Sequence, residues 1–270
     1  FRARRLTTAH LSELMECAQY HTSDVSPPGR VRLEYVTAPL RVWPVVNASE
    51  FLVAIAPATY DRGAVIEVGR RLQKVVLHAT HMGLATCWIG PGADQRSVAE
   101  HLGSKFDAET DHIVCVCAIG YESSLWPLIC SSVSKWGQRR LPLAELFFAD
   151  GHLQQPLDVG VAPFDRFGRC YEACQWSPSS FNAQPVRCVG VLDESGQAHR
   201  FDFCPTSSSR FYEPVALGIW CANWETGCEA LGICGHFEVL QKPLPGTAAL
   251  PDRYDMSWIV DACPTASSGS

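Results

Sequence analysis

Two stretches of helical periodicity, set 149 residues apart, constrain this chain more than any other feature. In residues 64–83, Val65, Val68, Leu72, Val75, Val76, Ala79 and Met82 recur at three- and four-residue steps, the spacing of one helix face. Gly83 follows, where a left-handed helix cap is cheap. Further along, Val215, Ile219, Ala222, Cys228 and Leu231 give a second stretch of the same kind. Gly69 and Gly83 are 14 residues apart, and so are Gly218 and Gly232. Each second glycine leads into a similar short segment, Leu84-Ala85-Thr86-Cys87-Trp88 in one place and Ile233-Cys234-Gly235-His236-Phe237 in the other.

An upstream echo keeps the same order. Glu16-Cys17-Ala18-Gln19-Tyr20 leads through Pro27 and Pro28 to a strand candidate at Arg32 to Val36. Glu172-Ala173-Cys174-Gln175-Trp176 leads through Pro178 and Pro185 to another at Arg187 to Val191. The two echoes together predict two similar α/β halves, residues 1–150 and 164–264, joined by a linker at 151–163 and followed by a disordered tail at 265–270. Each half should give a helix, a strand, a long helix and a further strand. Further strand candidates are Phe51 to Ala56, Ile113 to Ile119, Arg187 to Leu192, Phe201 to Cys204 and Ser257 to Asp261. Several are continuous apolar runs, as expected of a sheet covered on both faces. Similar halves usually pack about a pseudo-two-fold axis, and a cleft there is the first place to look for a ligand.

Composition narrows the function classes. The chain is 47% hydrophobic and 19% charged, which suits a globular protein. Its net charge is -6 with only 22 Lys and Arg, and the short basic clusters at Arg2 to Arg5 and at Arg139 and Arg140 cannot track a phosphate backbone. Nucleic acid is therefore not an expected partner. No apolar run reaches the roughly 20 residues that span a bilayer, so no membrane partner is expected, and the expected compartment is the cytoplasm. Thirteen cysteines are an odd number, none in a Cys-x-x-Cys pair, and they read as small hydrophobes of the core. Cys221, Cys228 and Cys234 lack zinc-site spacing, and the pair His78 and His81 has no third ligand nearby; no metal is expected.

The strongest local signal is Trp176-Ser177-Pro178-Ser179-Ser180-Phe181-Asn182-Ala183-Gln184-Pro185. Prolines bracket it, while Ser179, Ser180, Asn182 and Gln184 supply donors and acceptors on a stiff loop. A flat heteroaromatic ring with carbonyls and nitrogens along one edge needs such equipment. An ordinary Ser/Asn/Pro connector has the same composition, and physics alone does not choose between them.

Residues Pro178 to Pro185 resemble the Pro-Ser-x-x-Asn-x-Gln-Pro signature of the nitroreductase superfamily of flavin enzymes. Gly83-Leu84-Ala85-Thr86-Cys87-Trp88-Ile89-Gly90 resembles the family's Gly-Leu turn after its long central helix, and Arg139-Arg140-Leu141-Pro142-Leu143 is similar to the basic-Leu-Pro segment that ends a family subunit. The two-half arrangement resembles the branch in which the halves are fused in one chain, labelled TM nitroreductases. The resemblance implies an α/β (α+β) nitroreductase-like fold, two tandem homologous halves packed as a pseudo-dimer around a mixed sheet.

It also implies flavin mononucleotide (FMN) as cofactor and NAD(P)H as electron donor, with a small nitro-aromatic, quinone or related molecule as acceptor. In the family, a homodimer builds its flavin sites at the subunit interface. Carried over here, the first half puts Trp88, Ile89, Gly90 and Pro91 beside the ring, with Arg140 and Arg139 at the phosphate. The second half supplies Pro178, Ser179, Ser180, Asn182 and Gln184. Trp176, Phe181 and Trp88 are candidates for the wall over the ring. No catalytic side chain is expected, since the cofactor carries the chemistry.

The first-half counterpart of the signature loop, His21 to Gly29, has no Asn or Gln, and no Arg-Leu-Pro segment comes after the last strand. One flavin per chain is therefore expected, in a monomer. Two family features are missing. Phe1-Arg2-Ala3-Arg4-Arg5 resembles the residues that come just after the family's Arg-Ser-x-Arg stretch, and Gly90 stands where a glutamate flanks the flavin pyrimidine. The alternative reading is a flavin-binding sensor or carrier, or a member without enzymatic turnover.

Overall fold

The computed structural model describes residues 1–20, 31–40, 45–90, 93–124 and 138–261. Pro91, the loop 21–29 and the tail 265–270 lie outside the described residues. The chain divides into two compact units. The first comprises Phe1–Arg139 with Ser179–Ala183 and Ser209–Ala222; the second comprises Arg140–Pro178, Gln184–Ser208 and Asn223–Ser270.

The first unit is built on a four-stranded sheet of order β1-β2-β4-β3, with β1 at Arg32–Thr37, β2 at Glu50–Pro57, β3 at Ala85–Ile89 and β4 at Asp111–Gly120. Every pairing in it is antiparallel. The continuous apolar runs of β2 and β4 follow from coverage of both sheet faces. Along a strand alternate residues face opposite ways. Leu52, Ala54, Cys115 and Cys117 pack with helices α1 (Thr8–Tyr20) and α2 (Arg62–His81). Phe51, Val53, Ile55, Val116 and Ala118 pack on the other face with Val98 and Leu102 of α3 (Gln95–Leu102).

Helix α2 starts where the Asp61 carboxylate accepts a hydrogen bond from Ala64 N–H at 3.2 Å, and it ends before Gly83, whose φ of 74° suits a residue without a Cβ. Val65, Val68, Leu72, Val75 and Ala79 fill the core along the predicted face. Arg71 of α2 is buried and donates to the Ala18 carbonyl at 2.9 Å, which satisfies an acceptor near the end of α1.

The second unit carries a five-stranded sheet of order β5-β6-β7-β9-β8: β5 Phe147–Phe148, β6 Val186–Leu192, β7 Ala198–Pro205, β8 Gly235–Glu238 and β9 Met256–Val260. This sheet is the mixed one, because β5 pairs in parallel with β6 while the other pairings are antiparallel. A parallel pair requires a long crossover, and helix α4 (Gly168–Gln175) lies within that connection. Helix α5, Tyr212–Leu231, is apolar around most of its circumference and correspondingly buried. Its Trp224 sits among Phe147, Phe167, Tyr171, Phe201 and Phe203, with ring centroids between 4.6 and 6.4 Å away. Arg200 and Asp202 of β7 are wholly buried as a pair, 3.0 Å from Nη2 to Oδ2; Ser257 donates to the carboxylate at 2.6 Å.

Among the described cysteines, Cys115, Cys117, Cys170, Cys174, Cys188, Cys204, Cys221 and Cys228 are buried thiols. Burial pushes the Cys115 thiol up to about 12, so it behaves as a hydrophobe. His78 bonds to Glu13 at 3.1 Å. No helix among the described residues is long and apolar enough to cross a membrane.

Candidate functional site

The signature loop is fastened at both of its ends within the second unit. Helix α4 stops at Gln175, where Trp176 N–H bonds to the Glu172 carbonyl and Ser177 N–H to that of Cys174. Asn223 of α5 then donates to Ala173 O at 3.0 Å and to Ser177 Oγ at 2.7 Å, which fixes the residue before Pro178. At the far end Pro185 is buried, and its carbonyl accepts from Thr206 N–H at 2.8 Å.

The stretch in between belongs to the first unit and is tightly wound. Asn182 N–H bonds to Ser179 O and Ala183 N–H to Ser180 O. Phe181 and Asn182 both have φ of 51°, and Gln184 follows at 47°. Left-handed backbone is uncommon for any residue but glycine and asparagine, and it clusters where a structure holds residues in place for function. Ser179, Ser180, Asn182 and Gln184 are half-buried, while Phe181 is 80% exposed.

The two loop amides grip the basic segment. In the first unit Asn182 Nδ2 donates to the Arg139 carbonyl at 2.8 Å. In the second, Leu141 N–H donates to Gln184 Oε1 at 2.9 Å, and Gln175 Nε2 donates to the Leu141 carbonyl at 2.9 Å. Arg140 is half-buried, with its guanidinium 5.1 Å from the centre of the exposed Trp176 ring. A planar cation over an indole face is a favourable pairing. Arg139 keeps its side chain exposed.

Strand β3 brings the Trp88 to Gly90 segment to the same unit as Phe181. Alternation along the strand buries Ile89 against Val98 and Ala93, so Ile89 offers its backbone rather than its side chain. Trp88 is half-buried, and its buried indole N–H has no hydrogen-bond partner among the described residues. Gly90 is exposed, and a Cβ there would meet the Tyr212 ring at 3.4 Å. Tyr212 in turn stands edge-on to Phe181, with centroids 6.4 Å apart. Tyr212 thus links the end of β3 to the signature loop.

Of the residues singled out from sequence, Asn182 is brought to Arg139 and Gln184 to Leu141. Trp88 and Gly90 lie at one strand end, and Pro91 is outside the described residues. Gln175, Tyr212 and Asn223 escaped sequence reasoning. Gln175 stood in the echoed Glu-Ala-Cys-Gln stretch and could have been flagged there; Tyr212 and Asn223 carry no motif.

The geometry defines an α/β protein whose signature loop organises a basic segment. The family model described as Nitroreductase family matches residues 37–121. A candidate nitroreductase of Thermotoga maritima shares the fold at 14% identity, with 96% of this chain and 87% of that one covered at a TM-score of 0.54. A nitroreductase family protein of Clostridium difficile matches 54% of this chain and 87% of its own at 16% identity and a TM-score of 0.39. A Bacteroides fragilis nitroreductase with bound FMN matches 47% of this chain and 84% of its own, at 16% identity and a TM-score of 0.38. No curated protein matches the chain. The chain thus shares the fold of the Thermotoga protein, and the match to the family model is confined to residues 37–121.

Proposed function

We propose that this chain is an FMN-dependent oxidoreductase of the nitroreductase type. In this reading it holds one flavin per chain and takes electrons from NAD(P)H. It passes them to a small nitro-aromatic, quinone or related acceptor, and it works as a monomer built from two similar halves. The observation that carries the reading is the hold of Asn182 on the Arg139 carbonyl, which ties the signature loop to the basic segment.

The donor set fits such a cofactor. A phosphate needs charge-assisted donors, and Arg139 and Arg140 supply two guanidinia. A ring edge of carbonyls and nitrogens needs neutral donors, and the Ser179 and Ser180 hydroxyls, the buried Trp88 indole N–H and the bare backbone at Gly90 supply them. When bound, the flavin supplies hydride acceptance from the nicotinamide and reduction of the acceptor.

The chain's own residues would hold and shape the site. Asn182 and Gln184 position the segment that carries Arg139 and Arg140, while Pro178 stiffens the loop entrance. Trp88, Ile89 and Gly90 would hold the ring, together with Pro91, which the resemblance assigns there and which lies outside the described residues. Phe181 and Tyr212 present an aromatic face suited to a planar acceptor. Gly90 in place of a carboxylate leaves no fixed negative charge there.

The test is anaerobic addition of NADH, or of NADPH, to the flavin-loaded chain. Bleaching of the visible flavin band and its return on adding a nitro-aromatic or a quinone are expected. A flavin that stays oxidised with both nucleotides would favour the carrier reading instead.

A further inference from the structure

The first unit also contains a cavity of about 270 Å³ that shares no residue with the groups proposed to hold flavin. Ala56, Pro57, Ala58, Val65 and Val114 are its apolar lining. Tyr60, Asp61, His112, Arg210 and Phe211 complete the lining. The fold assembles them from three places. Ala56 and His112 are paired across β2 and β4, Tyr60 and Asp61 lie in the turn into α2, and Arg210 and Phe211 lead into α5.

The rings are mutually ordered. His112 stacks on Phe211 with centroids 4.9 Å apart and planes at 25°, and Tyr60 meets Phe211 edge-on at 5.8 Å. The Arg210 guanidinium lies 5.0 Å from the centre of the Tyr60 ring and 5.4 Å from that of Phe211. Among the described residues no carboxylate pairs with it. Asp61, the nearby acid, is turned to Ala64 N–H as the cap of α2. Burial, then the charge of Arg210, hold the His112 imidazole below its ordinary value, so near neutral pH it adds a ring to the wall and no second charge.

Arg210 is exposed and braced by two aromatic faces, and a guanidinium can receive a carboxylate through two hydrogen bonds. The aromatic wall favours a flat partner. The volume lies at the low end of the roughly 300–1,000 Å³ of small-molecule pockets and suits a partner of one ring. We propose that this cavity binds a one-ring aromatic carboxylate, its acid group on Arg210 and its ring against Tyr60, His112 and Phe211.

Benzoate is the probe, titrated into the full chain and followed by calorimetry, with benzyl alcohol as the uncharged control. Saturable benzoate binding is expected, weakened about tenfold or more by Arg210→Gln and by loss of the carboxylate, and retained by Arg140→Ala. Phe211→Leu, which keeps the apolar volume but removes a ring, is expected to weaken binding as well. Absence of saturation, or equal affinity in folded Arg210→Gln, would overturn the proposal. Loss of binding in Arg140→Ala with Arg210→Gln unaffected would also overturn it, by locating benzoate at the flavin phosphate groups instead.

Discussion

Gly69 of α2 and Gly218 of α5 meet where the two helices cross: a Cβ on Gly69 would fall 2.2 Å from the Val215 carbonyl oxygen, and one on Gly218 would fall 1.9 Å from that of Ile66. Both obstacles are backbone atoms, which no rotamer change can move aside. Gly218→Ala should therefore destabilise the fold by about 1–3 kcal/mol, the usual cost of overpacking, despite the better helix propensity of alanine. Gly168, at the start of α4, has open space at its Cβ position, so Gly168→Ala should be neutral or stabilising by up to about 1 kcal/mol. Urea unfolding of the two variants beside the parent checks the contrast. Equal midpoints for both would contradict the crossing.

The loop conformation predicts a trade between stability and function. Phe181 holds φ of 51° while 80% exposed, so its side chain gains little from burial and its backbone is strained. Phe181→Gly should raise stability by up to about 1 kcal/mol. It should also remove the ring that stands on Tyr212 and raise KM for planar acceptors. Thermal melts and acceptor titrations read the two effects separately.

The Arg200–Asp202 pair in the second unit is completely buried. Removing one charge from such a pair leaves the other without compensation, at a cost of about 3–5 kcal/mol. Asp202→Asn should lower the unfolding free energy by about that amount, and Ser257→Ala by about 1 kcal/mol. Denaturant curves at neutral pH are the check.

Acid sensitivity should have a definite source in the first unit. Arg32 grips Asp111 through both guanidinium nitrogens, at 2.9 and 2.6 Å, and this holds the Asp111 carboxyl below the usual carboxylate range. The folded-state value lies below the unfolded one, so the contribution is present above about pH 4 and lost as pH falls through the folded value. Arg32 is 38% exposed, and solvent screening keeps the contribution to about 1 kcal/mol or less. Arg32→Gln should flatten the acid limb of the stability curve by that amount and leave its alkaline limb unchanged.

Much of the fold was legible because burial writes itself into sequence. The run Phe51 to Ala56 read as a strand covered on both faces, and its alternate residues do pack on opposite sides of the sheet. Helix α2 showed its face and its glycine stop. Strand β5 did not show, because Phe147 and Phe148 are only two residues and acquire their extended form from a distant parallel partner. In the candidate site, the loop stood out by its motif, but the partners of its side chains did not. Asn182 and Gln184 read as groups for a ring; the hydrogen bonds of their amides to Arg139 and Leu141 are tertiary contacts that the motif does not announce. Ile89 read with Trp88 and Gly90, and strand alternation places its side chain in the core. Tyr212 beside Gly90 is a contact of tertiary packing that no local pattern announces.

The most direct test of the central claim is the visible absorbance of the full chain mixed with FMN and then desalted, beside an Asn182→Ala, Arg140→Ala double variant. About one retained flavin per chain is expected, lost in the double variant. Failure of the parent chain to retain flavin, or equal retention by the folded variant, would contradict it.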